Sequence, residues 1–529
     1  MATQTNSEKI FINEAPQPLS EKQLARLKFS LEVTSLIIII IVAFLLRFIN
    51  LGNSTISEDE AFEANIIINL RFFDALTYHD ETYNKPPLFY ILMVIWVKLF
   101  GGSELALRLF SMFVGIITIP AVYLLIRRWL NQPIAILTAL FMAISPLHVY
   151  FSREARHYSL FLLEAVISIG FLLLAVEKPN QNWRWFLHAV SVVVMLYTDY
   201  LSFYLIIAQG LFIVFCLYKN QKELVKGLIS LAFAVLVFLP WFGNFIQIFQ
   251  NKLPSGLIRP RPEQLGEVLY GFSSFYLPVN VYFLIGLIFI PLWIKGLVWM
   301  WQTYRQVAFL LAVWGILPIF LGWLGSLVVP NFLSSSFLFC LPPFLSLVVA
   351  GLLSFATTQS RSKLTLSFMA SLISIIFVLN FFSLQNYTEN YNPVNWREIT
   401  GYISANCKEG DLLYIAHPKV GWGNIVRYYY NRQSNRLCNM PIESVPGEYY
   451  KLMISGENSA ELPAPSEAVS KTFSNYRRVW LLRQHSTTEF NWVYKNIIEK
   501  VPSSFQATYY KEHFSPVQPT IALTLYQLK

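Results

Sequence analysis

Long apolar runs separated by short polar joints fill most of the first 383 positions. Thr34–Ile49, then about 104–126, 133–151, 157–176, 185–199, 201–218, 225–242, 277–295, 306–328, 335–356 and 364–383 are apolar throughout. Each approaches the roughly 20 residues that a helix needs to cross a bilayer. The pattern predicts an all-α polytopic membrane bundle of about eleven transmembrane helices. Lys85–Phe100 is apolar but too short for a span and opens on Pro86-Pro87. It reads as an interfacial or re-entrant helix; read as a true span, it would invert everything after it. The loop charges favour the first option. With 85–100 outside, Arg127/Arg128, Lys178/Arg184, Lys219/Lys222/Lys226, Lys295/Arg305 and Arg361/Lys363 all fall inside, as the positive-inside rule requires. The basic N-terminal segment, with no small-residue cleavage site, is then cytoplasmic. Residues 243–276 become a longer external loop.

Beyond about 384 the pattern changes. Leu412–Ala416 and Arg478–Leu482 have strand character, Glu489–Lys500 has a helical period, and Phe505–Lys511 and Thr520–Leu528 suit an antiparallel ribbon. The expected organisation is a membrane domain over 1–383 and a small extracytoplasmic α/β domain over 384–529.

Composition agrees. Of the 529 residues, 55% are apolar and only 13% charged, against roughly a quarter charged in soluble domains. The net charge of +9 fits basic cytoplasmic loops, and no basic tract points to nucleic acid. Cys216 and Cys340 sit in apolar runs, whereas Cys407 and Cys438 lie in the tail, where a disulfide can form outside the cytoplasm. Metal-ligand spacings, a Walker A loop and a strand–GxGxxG–helix are all missing.

The candidate chemistry sits at the outer face. Residues 57–90 carry Glu58, Asp59, Glu60, Glu63, Asp74, Asp80 and Glu81, too many carboxylates to place in lipid. Asp59 and Glu60 read either as the acidic first turn of a surface helix or as a site that takes a proton from an incoming hydroxyl or amine. Asp59 and Asp80 could hold a divalent cation or be merely solvated; no cofactor is certain. Ser145–Leu160 joins two apolar runs and carries His148, Arg153, Glu154, Arg156, His157 and Tyr158. On a helix, Arg153 and Arg156 or His157 would share a side, with Glu154 orienting a neighbouring Arg. Arg suits a phosphate or diphosphate. A snorkelling collar is the plainer reading, and both histidines could be packed rather than acid–base groups. Asp199, in Tyr197-Thr198-Asp199-Tyr200, is either a solvated helix-end carboxylate or a site residue.

Asp59-Glu60, Pro86-Pro87-Leu88-Phe89-Tyr90, the run Phe100–Ser111, Ser145-Pro146-Leu147-His148 and the run Ser152–Leu160 occur in an order that resembles the bacterial protein-mannosyltransferase-type glycosyltransferases. These are GT-C enzymes, akin to the protein O-mannosyltransferases and the aminoarabinose transferases of lipid A. The resemblance implies eleven to thirteen helices, juxtamembrane helices in the first external loop, a polyprenyl-phosphate sugar donor and inverting transfer on the outer face of a bacterial inner membrane. It matches Asp59 to the acidic residue that activates the acceptor and Glu60 to its partner. Asp80 and Lys85 match positions near the donor; Arg153, Glu154 and Arg156 match an element whose Arg meets the donor phosphate. Two departures stand out. Asp199 replaces a usual histidine, and Ser335-Ser336 stands where Arg-Tyr is common, leaving Lys252, Arg259 or Arg261 to compensate. Asn395–Glu398 resembles the junction into the family's external domain. A phosphate leaving group needs little protonation, so one base, Asp59, suffices where glycosidases use two carboxyls. Arg153, Arg156 and Lys85 would stabilise charge growing on the phosphate. The acceptor, whether lipid, glycan or protein, is left open. A transporter or flippase of lipid-linked glycans is the first alternative and a non-catalytic receptor the second.

Overall fold

The computed structural model describes residues 21–78, 85–250, 259–278, 282–357, 363–390, 394–416, 421–432, 438–444, 471–484, 504–513 and 521–528. The bundle comprises α1 (Glu21–Phe48), α2 (Glu58–Asn69), α3 (Phe72–Ala75), α4 (Leu88–Phe100), α5 (Glu104–Trp129), α6 (Gln132–Ile144), α7 (Pro146–Ser152), α8 (Tyr158–Glu177), α9 (Asn182–Leu196), α10 (Ser202–Leu217), α11 (Gln221–Gln250), α12 (Glu263–Ser274), α13 (Tyr282–Thr303), α14 (Arg305–Val328), a 3-10 segment (Ser334–Cys340), α15 (Leu341–Thr357) and α16 (Lys363–Asn390). The tail adds α17 (Trp396–Asn406), β1 (Asp411–Ala416), α18 (Gly421–Tyr430), β2 (Ile442–Ser444), β3 (Arg478–Gln484), β4 (Phe505–His513) and β5 (Ile521–Leu528).

Among the described residues, eight helices are long and apolar enough to cross a membrane, and the α6–α7 pair, bent by 59°, makes a ninth if it counts as one span. The two remaining expected places hold α9 and α10, of 15 and 16 residues. They fall short because the chain unwinds between them into the loop that carries Asp199. The protein is an integral membrane protein. Its segment Ser334–Ala356 is 89% buried and forms the bundle's axis, whereas the apolar parts of α1 and α16 are only 11% and 17% buried and turn their side chains to lipid. Gly296 and Gly351 let α13 and α15 touch backbone to backbone, since a Cβ on either would strike Leu347 O or Leu292 O.

Two expectations need correction. The external loop of 243–276 is largely helical, because α11 continues to Gln250 and α12 begins at Pro262-Glu263, a helix-start pair. Lys295, read as a loop cation, lies inside α13 with its ammonium 4.2 Å from the centre of the Phe355 ring. The short helix expected over 85–100 is present as α4, 13 residues long and too short for a span.

The 59° break has a cause. Ser145 precedes a proline and so leaves the helical region, and Pro146 restarts the chain as α7. Arg47 of α1 satisfies carbonyls exposed by the break, donating to Ala143 O at 2.9 Å.

In the tail the strand order is β2-β1-β3-β5-β4, parallel among β1, β2 and β3 and antiparallel for β3–β5 and β4–β5. The four expected strands are present, two of them paired as the terminal ribbon; the expected helix of 489–500 lies outside the described residues. Cys407 and Cys438 form a disulfide. Helices α17 and α18 seat this domain on the segment that joins α1 to α5. Arg397 donates to Glu104 (2.9 Å) and Gly52 O (2.7 Å), Tyr428 to Gly102 O (3.1 Å) and Asn65 to Asn424 O (2.8 Å). Ile56, Ala61, Ala64, Phe89, Trp396 and Trp422 belong to one apolar core, separate from that of the bundle. Helix α2 is thereby wedged between membrane domain and tail.

Candidate active site

Helix α2 opens the site with a capping box. The Ser57 hydroxyl accepts from Glu60 N, and Ser57 N donates to the Glu60 carboxylate at 3.0 Å. The turn of helix that follows aims three carboxylates differently. Glu60 turns inward and is fully buried. Arg108 of α5 donates Nε to its Oε1 (2.8 Å) and Nη2 to its Oε2 (2.7 Å), and Ala155 N donates to Oε1 at 2.9 Å. Burial pushes the Glu60 carboxyl up, but Arg108 and the two backbone donors outweigh it and hold it below the usual range.

Asp59 points the other way. Its side chain is 55% exposed, and Oδ2 lies 2.6 Å from Arg156 Nη1. Glu63, one turn on from Asp59 and buried, accepts from Lys85 Nζ at 2.9 Å and lies 3.9 Å from Arg156 Nε. Burial opposes its ionisation, yet Lys85 and Arg156 together keep it below the ordinary carboxylate range. For Arg156, burial works against the charge, and Asp59, Tyr158, Glu63 and Glu154 more than restore it. Burial, then the nearby Arg156, holds the Lys85 ammonium below its usual range, with Glu63 and Asp59 offsetting only part.

The chain of contacts continues inward. Lys85 Nζ sits 3.4 Å from His157 Nδ1, and His157 Nε2 lies 2.7 Å from Asp199 Oδ2. Asp199 is itself fixed, its Oδ1 accepting from Leu201 N at 2.8 Å. Burial first, and then the Lys85 charge, pushes the His157 imidazolium down to about 4, so the ring is neutral. Asp199, Lys85, Glu63, Arg156 and Asp59 thus form one linked row of alternating charge, open to water at the Asp59 end.

The positions expected from sequence divide accordingly. Asp59, Lys85, Arg156, His157 and Asp199 come together; Glu60 braces them from behind. Tyr158 flanks Arg156, 5.5 Å from guanidinium to ring centre, and its hydroxyl meets Ser336, one of the two serines standing where Arg-Tyr is common. Glu154 is buried against Tyr150; burial and the nearby Glu60 raise its carboxyl to about 7.

Arg153 is a correction. Its guanidinium donates to Leu46 O (3.1 Å) and Ile49 O (2.8 Å) at the end of α1, away from the row. The expectation that Arg153 and Arg156 share a side assumed a helix, but 153–157 is a turn between α7 and α8. His148 Nδ1 lies 3.0 Å from both Arg47 Nη2 and Met142 O, in the packing of the α6–α7 bend. Asp80 and Lys252 lie outside the described residues, and Arg259 and Arg261 are exposed. Among the described residues, no group of three or more His, Cys, Asp or Glu gathers as a metal site. Sequence reasoning gave no role to Glu63 or Arg108. The signal for Glu63 was its spacing of four from Asp59, and for Arg108 a lone cation near the start of an apolar run.

The helical bundle, with its acidic helix, charged row and α/β tail, has the fold of solved GT-C membrane enzymes. The crystal structure of ArnT from Cupriavidus metallidurans in the apo state superposes with a TM-score of 0.58 at 13% identity, over 94% of this chain and 98% of ArnT. The same protein bound to undecaprenyl phosphate gives 0.55 at 13% identity, over 92% and 97%. The apo oligosaccharyltransferase of Archaeoglobus fulgidus gives 0.58 at 13% identity, over 93% of this chain and 74% of that one. Within that fold, residues 84–243 match the family model of the dolichyl-phosphate-mannose-protein mannosyltransferases. An uncharacterized protein of Aquifex aeolicus (strain VF5) is 24% identical over 343 residues, which are 63% of this chain and 66% of that relative. Sequence and fold therefore carry the same resemblance, to the protein-mannosyltransferase-like GT-C superfamily.

Proposed function

We propose that this protein transfers a sugar from a polyprenyl-phosphate donor to an acceptor hydroxyl or amine at the extracytoplasmic face, with inversion at the anomeric carbon. The carrying observation is the pairing of half-exposed Asp59 with Arg156, beside Lys85. Asp59 takes the acceptor proton. The freed oxygen or nitrogen bonds to the anomeric carbon from the face opposite the phosphate. The bond from carbon to phosphate oxygen breaks, and its electron pair leaves with the lipid phosphate, which gains one negative charge. Lys85 and Arg156 stabilise that charge as it grows. Glu63 holds both cations in place, and Glu60 fixes the turn that presents Arg156. Relatives of this fold support the donor class, since ArnT is seen with undecaprenyl phosphate and the Archaeoglobus enzyme with a dolichol-phosphate.

The orientation follows from the loop charges and from the tail disulfide, which suits an oxidising compartment. The N-terminus then faces the cytoplasm and the tail covers the site from outside. A transporter would place its ionisable groups near the bilayer midplane on broken helices, whereas this row lies at one face.

Native mass spectrometry of protein purified in mild detergent tests the donor class. A bound polyprenyl monophosphate bearing a sugar, lost in Arg156→Ala, supports transfer. A diphosphate-linked oligosaccharide instead would move the assignment to a flippase or an en bloc transferase.

A further inference from the structure

The stretch that leads into α2 is gripped from two sides. On the membrane-domain side, Arg108 Nη2 donates to Thr55 O at 3.0 Å and to the Glu60 carboxylate at 2.7 Å. On the tail side, Ile56 N donates to the Tyr429 hydroxyl of α18 at 2.9 Å. Ile56 is buried, so water cannot stand in for that oxygen. Glu104, one turn before Arg108 on α5, gives the bond its direction. Its carboxylate pairs with Arg397 at 2.9 Å and accepts the Tyr429 hydroxyl proton. The phenol oxygen is thereby left to accept from Ile56 N.

Ile56 lies three residues before Asp59, and Glu60 one after. A helix pinned at Glu60 alone can still pivot about that carboxylate. A second pin on the main chain, just ahead of the N-cap Ser57, fixes the first turn and the direction in which Asp59 meets Arg156.

We propose that Tyr429, oriented by Glu104, is a positioning residue for Asp59: by holding Ile56 N it fixes the first turn of α2, so that the tail domain completes the active site. This rests on the reading of Asp59 as the base. Tyr429 acts through the main chain of 56–59 and not on the reacting atoms.

Its neighbour supplies the control. Tyr428, also on α18, donates to Gly102 O at 3.1 Å, a bond of the same kind that reaches the start of α5 instead of the start of α2. Changing either tyrosine to Phe removes one hydroxyl and keeps the ring. If the tail needs only to be docked, the two variants should behave alike.

The test uses full-length protein in lipid nanodiscs: wild type, Tyr429→Phe, Tyr428→Phe and Asp59→Asn. Three quantities are read: conversion of saturating polyprenyl-phosphate sugars, extracted from bacterial membranes, to free polyprenyl monophosphate; affinity for undecaprenyl phosphate; and deuterium uptake by the backbone of 54–60. Tyr429→Phe is expected to slow conversion by about 10- to 100-fold, the range for a reacting group displaced by up to an ångström. Its affinity for undecaprenyl phosphate stays at the wild-type value, and uptake across 54–60 rises. Tyr428→Phe keeps all three near wild type. Equal slowing in both variants would make the effect one of docking and overturn the positioning role. Wild-type conversion or wild-type uptake in Tyr429→Phe would overturn it as well, while the assignment of Asp59 stands. If Asp59→Asn converts the lipid at the wild-type rate, the base reading fails and this proposal with it.

Discussion

Glu60 accepts the backbone N–H of Ala155 at 2.9 Å, and this contact sets the register between the acidic helix and the turn that carries Arg156. Because Asp59 precedes Glu60 and Arg156 follows Ala155, one buried bond brings half-exposed Asp59 and buried Arg156 to 2.6 Å. Arg108 holds the same carboxylate from α5, with both side chains almost wholly buried. Removing one partner of such a pair leaves an uncompensated buried charge, which costs about 3–5 kcal/mol. Glu60→Ala and Arg108→Ala are therefore expected to lower the thermal midpoint sharply and reduce the yield of monodisperse protein. Midpoints within a degree of wild type would contradict the bracing role.

The two arginines of the 153–157 turn are expected to separate. Arg153→Ala removes donors from the end of α1 and lowers stability. Arg156→Ala also costs stability, because buried Glu63 loses one of its two cations, but it alone removes affinity for polyprenyl phosphate. Thermal scans with and without undecaprenyl phosphate read both effects; equal loss of ligand-induced stabilisation in the two variants would argue against the division.

Glu154 gives a pH signature. Its carboxyl is raised to about 7 in the folded protein from 4.5. The stability it contributes is full below about 4.5 and is lost as pH rises towards about 7. His157 runs the other way: lowered to about 4, it contributes fully above about 6.5 and loses that contribution as pH falls through about 4. The two slopes oppose each other between 4.5 and 6.5, so the wild-type curve hides both. The difference curve exposes Glu154. Glu154→Gln should gain stability relative to wild type as pH is raised from 5 to 7.5, as followed by thermal midpoints; a flat difference would exclude the raised carboxyl.

The disulfide joins positions 31 apart in the tail. Reduction should cost that domain about 3.7 kcal/mol, in line with closing a loop of this size. The spans should melt unchanged. Circular dichroism with and without reductant reads the two transitions, and a tail that melts identically in both would deny the bridge a stabilising role.

Much of this was legible in the residues because lipid imposes strong rules. Apolar runs had to be helices, and carboxylates between them had to lie at a face. Motif order put Asp59, Lys85 and Arg156 in one site, together with Arg153, which turns instead to the end of α1. Direction within short segments was harder. Arg153 and Arg156, three apart, share a side only on a helix, and α7 ends at Ser152, before either of them. Glu60 and Asp59 are neighbours and chemically alike, yet 100° of helix rotation sends one to Arg108 and the other to water. Asp199 could be read equally as a solvated helix end or a site residue, because its partner, His157, lies 42 residues away. Lys295 ended its predicted span too early, since nothing local announces the Phe355 ring that shelters it.

The most direct test mixes polyprenyl-phosphate sugars extracted from bacterial membranes with the protein in nanodiscs and follows the lipids by mass spectrometry. Wild type should convert the sugar-bearing lipid to free polyprenyl monophosphate, with the sugar appearing on an acceptor or in water. Asp59→Asn should bind the same lipid and leave it intact. Conversion by Asp59→Asn at the wild-type rate, or lipid that crosses the bilayer with its sugar still attached, would contradict the assignment of Asp59 as the base of a glycosyl transfer.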